Sequence, residues 1–221
     1  MTHRAFKQRL YPLFGRIGQA LASERRLEIL DLLAQAPRHV EALAQETEMS
    51  VASASQHLQV LRNAHLVETE REGAKVRYRL AGDDVLRLWL SLRSVAEARL
   101  AEVPQLVREF AVEDGGAGEL SRDELQDLAA RGAIMLIDVR PRLEYDHGHV
   151  PGAVSIPLEE LPARFSTLPK RLRIVAYCRG AYCLLADEAV ALLRREGFDA
   201  VRLEGGWPEW VADGRAVSEA S

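Results

Sequence analysis

The segment IVAYCRGAYC, residues 174–183, joins a buried strand to a cysteine-bearing loop. Its first four residues form a short apolar run, which is typical of a strand buried on both faces of a parallel sheet. A helical pattern follows from Leu184 to Leu193, so Cys178 stands where a strand gives way to a loop and then a helix. These features predict an α/β domain with chemistry at the carboxyl end of a strand.

The surrounding sequence supports this prediction and limits its extent. Further short apolar runs at 134–137 and 201–203 predict strands, and a helical pattern surrounds 125–128. The segment 111–118, AVEDGGAG, is small, acidic and glycine-rich, as expected of a linker. We therefore predict two domains, residues 1–110 and 119–221, of which the second has a mostly parallel sheet.

The first domain is predicted to be mainly α-helical with one β-hairpin. Ser50 is a candidate helix cap, and alternating residues on either side of Glu72-Gly73 predict the hairpin. The other predicted elements are a helix over Phe6–Leu21, a second after Ser23, a short one over Val40–Gln45, one from Ser50 to Leu61, and an amphipathic segment from Asp83 to Phe110 restarted at Pro104.

The composition excludes several classes of protein. The chain has 221 residues, 48% hydrophobic and 28% charged, which excludes a mainly disordered protein. It has no run of 18 apolar residues and no signal-peptide pattern, and its two cysteines are too few for a disulfide scaffold. We expect a cytoplasmic protein without a membrane partner. The net charge of −4 excludes nonspecific coating of nucleic acid but not a local DNA-binding face.

The segments ALASERRLEILDLLAQ (20–35) and VEALAQETEMSVASASQHLQVLRNAHLVETEREGAKVRYRL (40–80) resemble the ArsR family of bacterial repressors. The resemblance implies a winged helix-turn-helix fold and a homodimer that binds palindromic double-stranded operator DNA. In that family the dimer is built largely from the first and last helices. Here this implies the apolar stripes Phe6–Leu21 and Leu86–Phe110, which could otherwise belong to the core of one chain.

The helix after Ser50 would enter the major groove and the hairpin would lie along the phosphates. Small side chains allow close approach to the bases, and Gln56 could read adenine with two hydrogen bonds. For the charged hairpin, a merely solvated surface remains an alternative. The candidate DNA-binding residues are Ser50, Ala52, Ser53, Ser55, Gln56 and Gln59 on the helix, and Arg71, Lys75 and Arg77 on the wing.

Neither a metal nor a cofactor is predicted. Many ArsR proteins sense metals through cysteines before the recognition helix or through His/Asp pairs on the last helix. Residues 38–49 contain no cysteine, and the last helix has Asp83 and Asp84 without a histidine. Three or four soft ligands cannot be assembled from this domain.

The second domain resembles a single-domain rhodanese over about residues 119–217. The segments that carry the resemblance are IDVRPRLEYDHGHVPGAVSIPLEEL (137–161), YCRGAYC (177–183) and LEGGWPEW (203–210). It implies that Cys178 takes up a sulfane sulfur as a persulfide and passes it to a thiol acceptor. It also implies structural roles for Asp138, Arg140, Glu144, His149, Gly152 and Trp207.

The loop itself is predicted to stabilise an anion at Cys178. Backbone amides from Arg179 onward, including those of Gly180, Ala181 and Tyr182, would point into the loop, and the following helix adds a favourable dipole. We therefore expect Cys178 to be a thiolate, with Arg179 as the only cation inside the loop.

At position 183 the sequence differs from the usual rhodanese loop, because it has a cysteine there. Many rhodaneses have Arg or another cationic or polar residue at this sixth loop position, and Cys-x5-Arg phosphatases require the Arg. Its absence weakens capture of a dianion such as thiosulfate or phosphate. Cys183 could instead attack a persulfide on Cys178, which releases sulfide and leaves a disulfide. It could also trap extra sulfur as a polysulfide link, or it could simply pack under the loop.

Three hypotheses follow for the whole chain. The first is a probable repressor whose DNA affinity is controlled by persulfide, polysulfide or thiosulfate chemistry at Cys178, resolved by Cys183. The second is an active sulfurtransferase that a DNA-binding domain regulates or localises. The third is a thiol sensor of peroxide.

Overall fold

The computed structural model describes residues 2–73, 75–110 and 118–219, without the side chain of Glu72. The chain divides into two compact units, Met1–Ser91 and Leu92–Ser221. No helix in the described ranges is both long enough and apolar enough to cross a bilayer.

The first unit has the helices and the wing that the sequence predicts. Its helices are α1 (His3–Leu21), α2 (Glu24–Leu33), α3 (Val40–Glu46), α4 (Val51–Asn63) and the first part of α5 (Asp83–Arg99). The Ser50 hydroxyl accepts from the Ser53 amide at 3.2 Å, which caps α4. Ser23 occupies the cap position of α2, but its side chain makes no cap hydrogen bond.

An antiparallel sheet completes this unit. Within the described residues its strands lie in the order β1 (Arg38–His39), β3 (Lys75–Leu80), β2 (Val67–Glu72). β2 and β3 form the predicted hairpin, in which Gly73 has φ of 62°, a conformation that glycine adopts at low cost. The two-residue strand β1 was not predicted, because nothing in its local sequence distinguishes it from a loop.

The apolar stripe of α1 divides between two environments. Ile17 and Leu21 pack against the core formed by α2, α3, α4 and β2, whereas Phe6 and Phe14 are exposed. The stripe is therefore partly core and partly open surface.

The predicted segment Asp83–Phe110 forms two helices, in keeping with the predicted restart, but the second begins at Glu102, before Pro104. α5 ends at Arg99 and α6 covers Glu102–Phe110, with Pro104 in its first turn, where a missing amide proton costs little. The boundary between the two units falls within α5, after Ser91. Residues 111–117 of the predicted linker lie outside the described residues, and the predicted domain limits stay a prediction.

The second unit is a parallel α/β fold. Its remaining helices are α7 (Arg122–Ala130), α8 (Arg142–His147), α9 (Leu161–Arg164), α10 (Leu185–Arg195) and α11 (Trp207–Ala212). Among the described residues, the sheet order is β4 (Glu119–Leu120), β8 (Ala200–Leu203), β7 (Arg173–Tyr177), β5 (Ile134–Asp138) and β6 (Val154–Ser155), and every pairing is parallel. β7, which leads to Cys178, lies at the centre of the sheet with strands on both sides.

Candidate functional site

The candidate site is the loop from Cys178 to Leu184, between β7 and α10. The core on one face of the sheet includes Cys178, whose side chain is fully buried, while Cys183 is only partly buried. Burial of β7 fixes the start of the loop, and α10 fixes its end. The two cysteines that the sequence singled out are brought into contact with each other.

Backbone contacts hold the loop closed. The Cys183 amide donates to the Gly180 carbonyl at 3.1 Å, and the Trp207 amide donates to the Cys178 carbonyl at 3.1 Å. Gly206 lies so close to the loop that a Cβ there would be 2.4 Å from both the Cys178 oxygen and the Gly180 nitrogen. The start of α11 therefore packs directly against the loop. For this segment, LEGGWPEW, the sequence implied a structural role only through its resemblance to rhodaneses.

The ionisation of the two thiols differs from the expectation. Burial raises the pKa of Cys178 well above its usual value, and the neighbouring Cys183 raises it further. The pKa of Cys183 is lowered to about 7, chiefly by the hydrogen bond from Cys178 and also by the amides of Leu185 and Arg179. These directions oppose the predicted thiolate at Cys178, because desolvation of a fully buried sulfur works against the loop amides that favour its anion. The ionised form of Cys178 stays a prediction.

Cys178 accordingly acts as a hydrogen-bond donor. Its Sγ lies 3.3 Å from the Cys183 carbonyl oxygen and 3.9 Å from that of Gly180. The amides of Gly180 and Ala186 lower the pKa of Cys178 against the effect of burial, and the predicted donor role of Gly180 stays a prediction. That role for Ala181 and Tyr182 stays a prediction.

Arg179 is held by a carboxylate. Its Nη2 and Nε donate to Glu144 Oε1 at 2.6 and 2.9 Å, and the Glu144 side chain is fully buried. A guanidinium committed to this pair serves to position the loop. Its positive charge still contributes to lowering the pKa of Cys183.

A second buried ion pair supports the strand beside the loop. Arg140 Nη2 donates to Asp138 Oδ2 at 2.6 Å and to the Gly148 carbonyl at 2.7 Å, and both charged side chains are fully buried. The Arg140 guanidinium also lies 4.9 Å from the centre of the Trp207 ring. Structural roles for Asp138, Arg140 and Trp207 fit these contacts.

Arg93 of α5 contacts the loop region within the second unit. Its Nη2 lies 3.1 Å from Glu209 Oε1, and its guanidinium lies 4.7 Å from the centre of the Tyr182 ring. A Cβ on Gly180 would be 3.2 Å from both carboxylate oxygens of Glu209. Neither Arg93 nor Glu209 was predicted as a site residue, because only the fold brings them near the loop.

In the first unit, α4 presents most of its predicted DNA-binding residues to solvent. Ala52, Ser55, Gln56 and Gln59 are exposed, whereas Ser53 is half-buried. Ser50 acts as the helix cap described above. Arg16 and Arg62, which were not predicted as site residues, line an open cleft together with Gln59.

The wing residues differ in their contacts. Arg71 and Lys75 are exposed. Arg77 is committed to Glu70 on the neighbouring strand, with Nη2 2.8 Å from Oε1, so its charge is already partly neutralised. Among the predicted wing residues, Arg71 and Lys75 are therefore exposed cations, whereas Arg77 is paired with Glu70. In the described residues, no group of three or more His, Cys, Asp or Glu side chains has the arrangement of a metal site.

Comparison with known proteins agrees with both halves of the fold. Residues 23–69 match the arsR family of bacterial regulatory proteins, and residues 121–213 match the rhodanese-like domain. An "HTH-type transcriptional regulator Rv0324" of Mycobacterium tuberculosis is 44% identical over 215 residues, which cover 97% of this chain and 94% of that protein.

Two further similarities each concern one half of the chain. A "Sulfurtransferase" of Allochromatium vinosum is 33% identical over 42% of this chain and 85% of its own length. The homodimeric winged helix-turn-helix DNA-binding domain of Mb0332 from Mycobacterium bovis is 46% identical over 46% of this chain and 93% of its own, with a TM-score of 0.43. From the similarity over nearly its whole length, the chain belongs to the HTH-type transcriptional regulators that join an arsR-family DNA-binding domain to a rhodanese-like domain.

Proposed function

We propose that this regulator is a repressor whose affinity for operator DNA is controlled by sulfur chemistry at Cys178 and Cys183. The observation that carries the proposal is the contact between the two thiols in one loop, one of them with a pKa of about 7. Such a thiol is substantially ionised at neutral pH, and the thiolate is the reactive form. A persulfide, a polysulfide or thiosulfate is the source of sulfur.

Cys183 reacts first and Cys178 second. Cys183 is the more exposed and the more readily ionised of the pair, whereas Cys178 is buried and protonated. The thiolate of Cys183 attacks the sulfane sulfur, and the rest of the donor leaves with the electron pair of the broken S–S bond. Cys178 then attacks the modified Cys183, and the remaining donor substituent, or hydrosulfide from a Cys183 persulfide, leaves as the sulfur bridge forms. This reverses the order that the rhodanese resemblance implied.

The response reaches the DNA-binding unit through α5. This helix contributes Trp89, whose Nε1 donates to Asp31 at 3.0 Å, to the first unit. It contributes Arg93, beside Tyr182 and Glu209, to the second. A bridge between the cysteines displaces Tyr182 and changes the contacts of Arg93. A coupling free energy of about 1–3 kcal/mol would change operator affinity roughly 5–150-fold.

The DNA-bound form is a homodimer on a palindromic operator. Phe6 and Phe14 in the first unit, and Val95 in the second, are exposed apolar side chains, which supports the predicted dimer through the first and last helices of the DNA-binding domain. The exposed residues of α4 read the bases, and Arg71 and Lys75 contact phosphates. A cytoplasmic location and the domain limits at 110 and 119 belong to the same proposal.

The test measures operator release and thiol modification in the same samples. A duplex selected by the full-length protein from random sequences serves as the operator, and binding is followed by fluorescence anisotropy with and without inorganic polysulfide. We expect release from wild type and none from Cys178→Ser or Cys183→Ser, with all three proteins binding equally when reduced. Unchanged release from both variants would contradict the proposal.

A sulfurtransferase remains the second candidate, because the matched rhodanese-like domain and the 33% identical sulfurtransferase support it. An enzyme should transfer many equivalents of sulfur per chain to a thiol acceptor, whereas a sensor needs only one. A peroxide sensor, the third hypothesis, should release DNA without any sulfur donor.

A further inference from the structure

An apolar cleft adjoins the cysteine loop within the second unit. Its volume is about 360 Å³, which falls within the range of small-molecule sites. One wall is α6, which presents Leu106, Val107 and Phe110. The other includes Tyr182 and Leu184, the two residues that flank Cys183. The cleft therefore adjoins the loop on both sides of Cys183 in the chain, while the Cys183 side chain itself packs against the core rather than lining the cleft.

The cations around the loop do not offer an anion-binding site. Arg179 is paired with Glu144, Arg93 with Glu209, and Arg202 with Asp187 at 2.9 Å. Each guanidinium is therefore already matched by a carboxylate.

One carboxylate outside these pairs adds further negative charge, and the carboxylate paired with Arg93 has an oxygen without a hydrogen bond in the described part of the chain. Glu97 is close enough to Tyr182 to raise the pKa of its hydroxyl. Glu209 Oε2 is buried and, within the described part of the chain, accepts no hydrogen bond. Among the described residues, a dianionic donor such as thiosulfate would meet these acidic groups beside guanidiniums that are already paired.

We propose that the loop takes its sulfur from an uncharged organic trisulfane, R–S–S–S–R, whose apolar substituent occupies the cleft. The inference rests on the proposed function and narrows its donor to one chemical class. The apolar walls favour the substituent, and the surrounding carboxylates disfavour charged donors.

The reaction requires no further oxidant. Cys183 Sγ⁻ attacks the central sulfur, one S–S bond breaks, and RS⁻ leaves with the proton of Cys178. The resulting Cys178 thiolate attacks the former central sulfur, and a second RS⁻ leaves and is protonated by the proton that Cys183 first gave to solvent. The sum is R–S–S–S–R plus two thiols giving one Cys–S–S–S–Cys bridge plus two RSH. The cysteines are oxidised and the trisulfane is reduced.

The test compares two trisulfanes of nearly the same size. Dipropyl trisulfide is uncharged, whereas bis(2-carboxyethyl) trisulfide carries two carboxylates on substituents of similar length. Full-length reduced protein reacts with each, and intact mass spectrometry follows the gain of one sulfur with loss of two hydrogens. Each rate is divided by that of the same reagent with free cysteine, which removes intrinsic reactivity. We expect the dipropyl reagent to be favoured by about tenfold or more.

A pair of variants tests the cleft itself. Leu106→Glu places a charge at a cleft position where the leucine is 56% exposed, so folding should be retained. Leu143→Glu makes the same change on α8, where the leucine is 54% exposed and does not line the cleft. We expect only Leu106→Glu to lose the preference for the dipropyl reagent, again by about tenfold.

The outcomes separate this inference from the proposed function. Equal normalised rates, or a faster dicarboxylate or thiosulfate reaction, overturn the inference while leaving sulfur control of DNA binding intact. If a second copy covers α6, Leu106→Glu will weaken the dimer without changing the donor ranking, which also overturns it. If the dipropyl reagent reacts faster but operator binding does not change, the proposed function alone is refuted. If no donor modifies the cysteines, both are refuted.

Discussion

Arg179 Nη2 lies 2.6 Å from Oε1 of the fully buried Glu144, so the one cation inside the cysteine loop is bound to the fold. The pair joins the loop to α8. The Arg179 side chain is 22% exposed, which places the pair largely out of water.

Arg179→Met should destabilise the second unit by about 3–5 kcal/mol, because it leaves the Glu144 carboxylate buried without its partner. Urea unfolding of the full chain, followed by tryptophan fluorescence, measures the loss. Arg142→Met is the matched control, since Arg142 pairs with Asp146 while 65% exposed. It should cost no more than about 0.5 kcal/mol. Equal effects of the two changes would contradict the positioning role.

Gly206→Ala should disturb the loop from the outside. The added Cβ would be 2.4 Å from two backbone atoms that cannot move aside without shifting the loop. We expect a stability loss of about 1–3 kcal/mol and a changed rate of Cys183 alkylation. Gly118→Ala is the control, because nothing lies within 4 Å of its Cβ position. An unchanged alkylation rate in Gly206→Ala would show that α11 does not shape the loop.

The pKa of about 7 at Cys183 predicts a pH dependence. The thiolate reacts, so iodoacetamide modification of Cys183 should speed up as pH rises, with a midpoint near 7, and level off above it. Cys178→Ala removes the hydrogen bond that contributes most to the low pKa, and its midpoint should move to higher pH. Peptide mass spectrometry assigns the modified residue. If the midpoint of the alkylation rate is the same in Cys178→Ala, the hydrogen bond from Cys178 does not lower the pKa of Cys183.

The wing predicts unequal contributions to the salt dependence of DNA binding. Lys75→Gln should reduce the slope of log K against log salt by about 1, as expected for loss of one phosphate contact. Arg77→Gln should change it less, because Arg77 is already paired with Glu70. Anisotropy titrations from low to moderate salt measure both slopes. Similar reductions in the two variants would indicate that Arg77 leaves Glu70 when DNA binds.

The sequence correctly predicted the helices and strands that are marked by their own caps, turn residues or apolar runs. The helix capped by Ser50, the hairpin at Gly73 and the strand before Cys178 are confirmed. The two-residue strands β1, β4 and β6 were missed, since each exists only because a distant strand pairs with it.

The chemistry of the loop was only partly predictable for the same reason. Its position and its two cysteines follow from the local sequence. The partner of Arg179 lies 35 residues away, and the full burial of Cys178 depends on packing by α10. Both decide which sulfur is ionised, and neither can be inferred from the loop's own residues.

The central position of β7 has a consequence for how such regulators diversify. A strand hydrogen-bonded on both sides cannot shift without breaking two ladders, so Cys178 has a fixed anchor. Substitutions between Cys178 and α10 can therefore change which sulfur compound reacts at the loop while the sheet stays unchanged. The loop can therefore vary within limits that include the close approach of Gly206 and the pairing of Arg179 with Glu144.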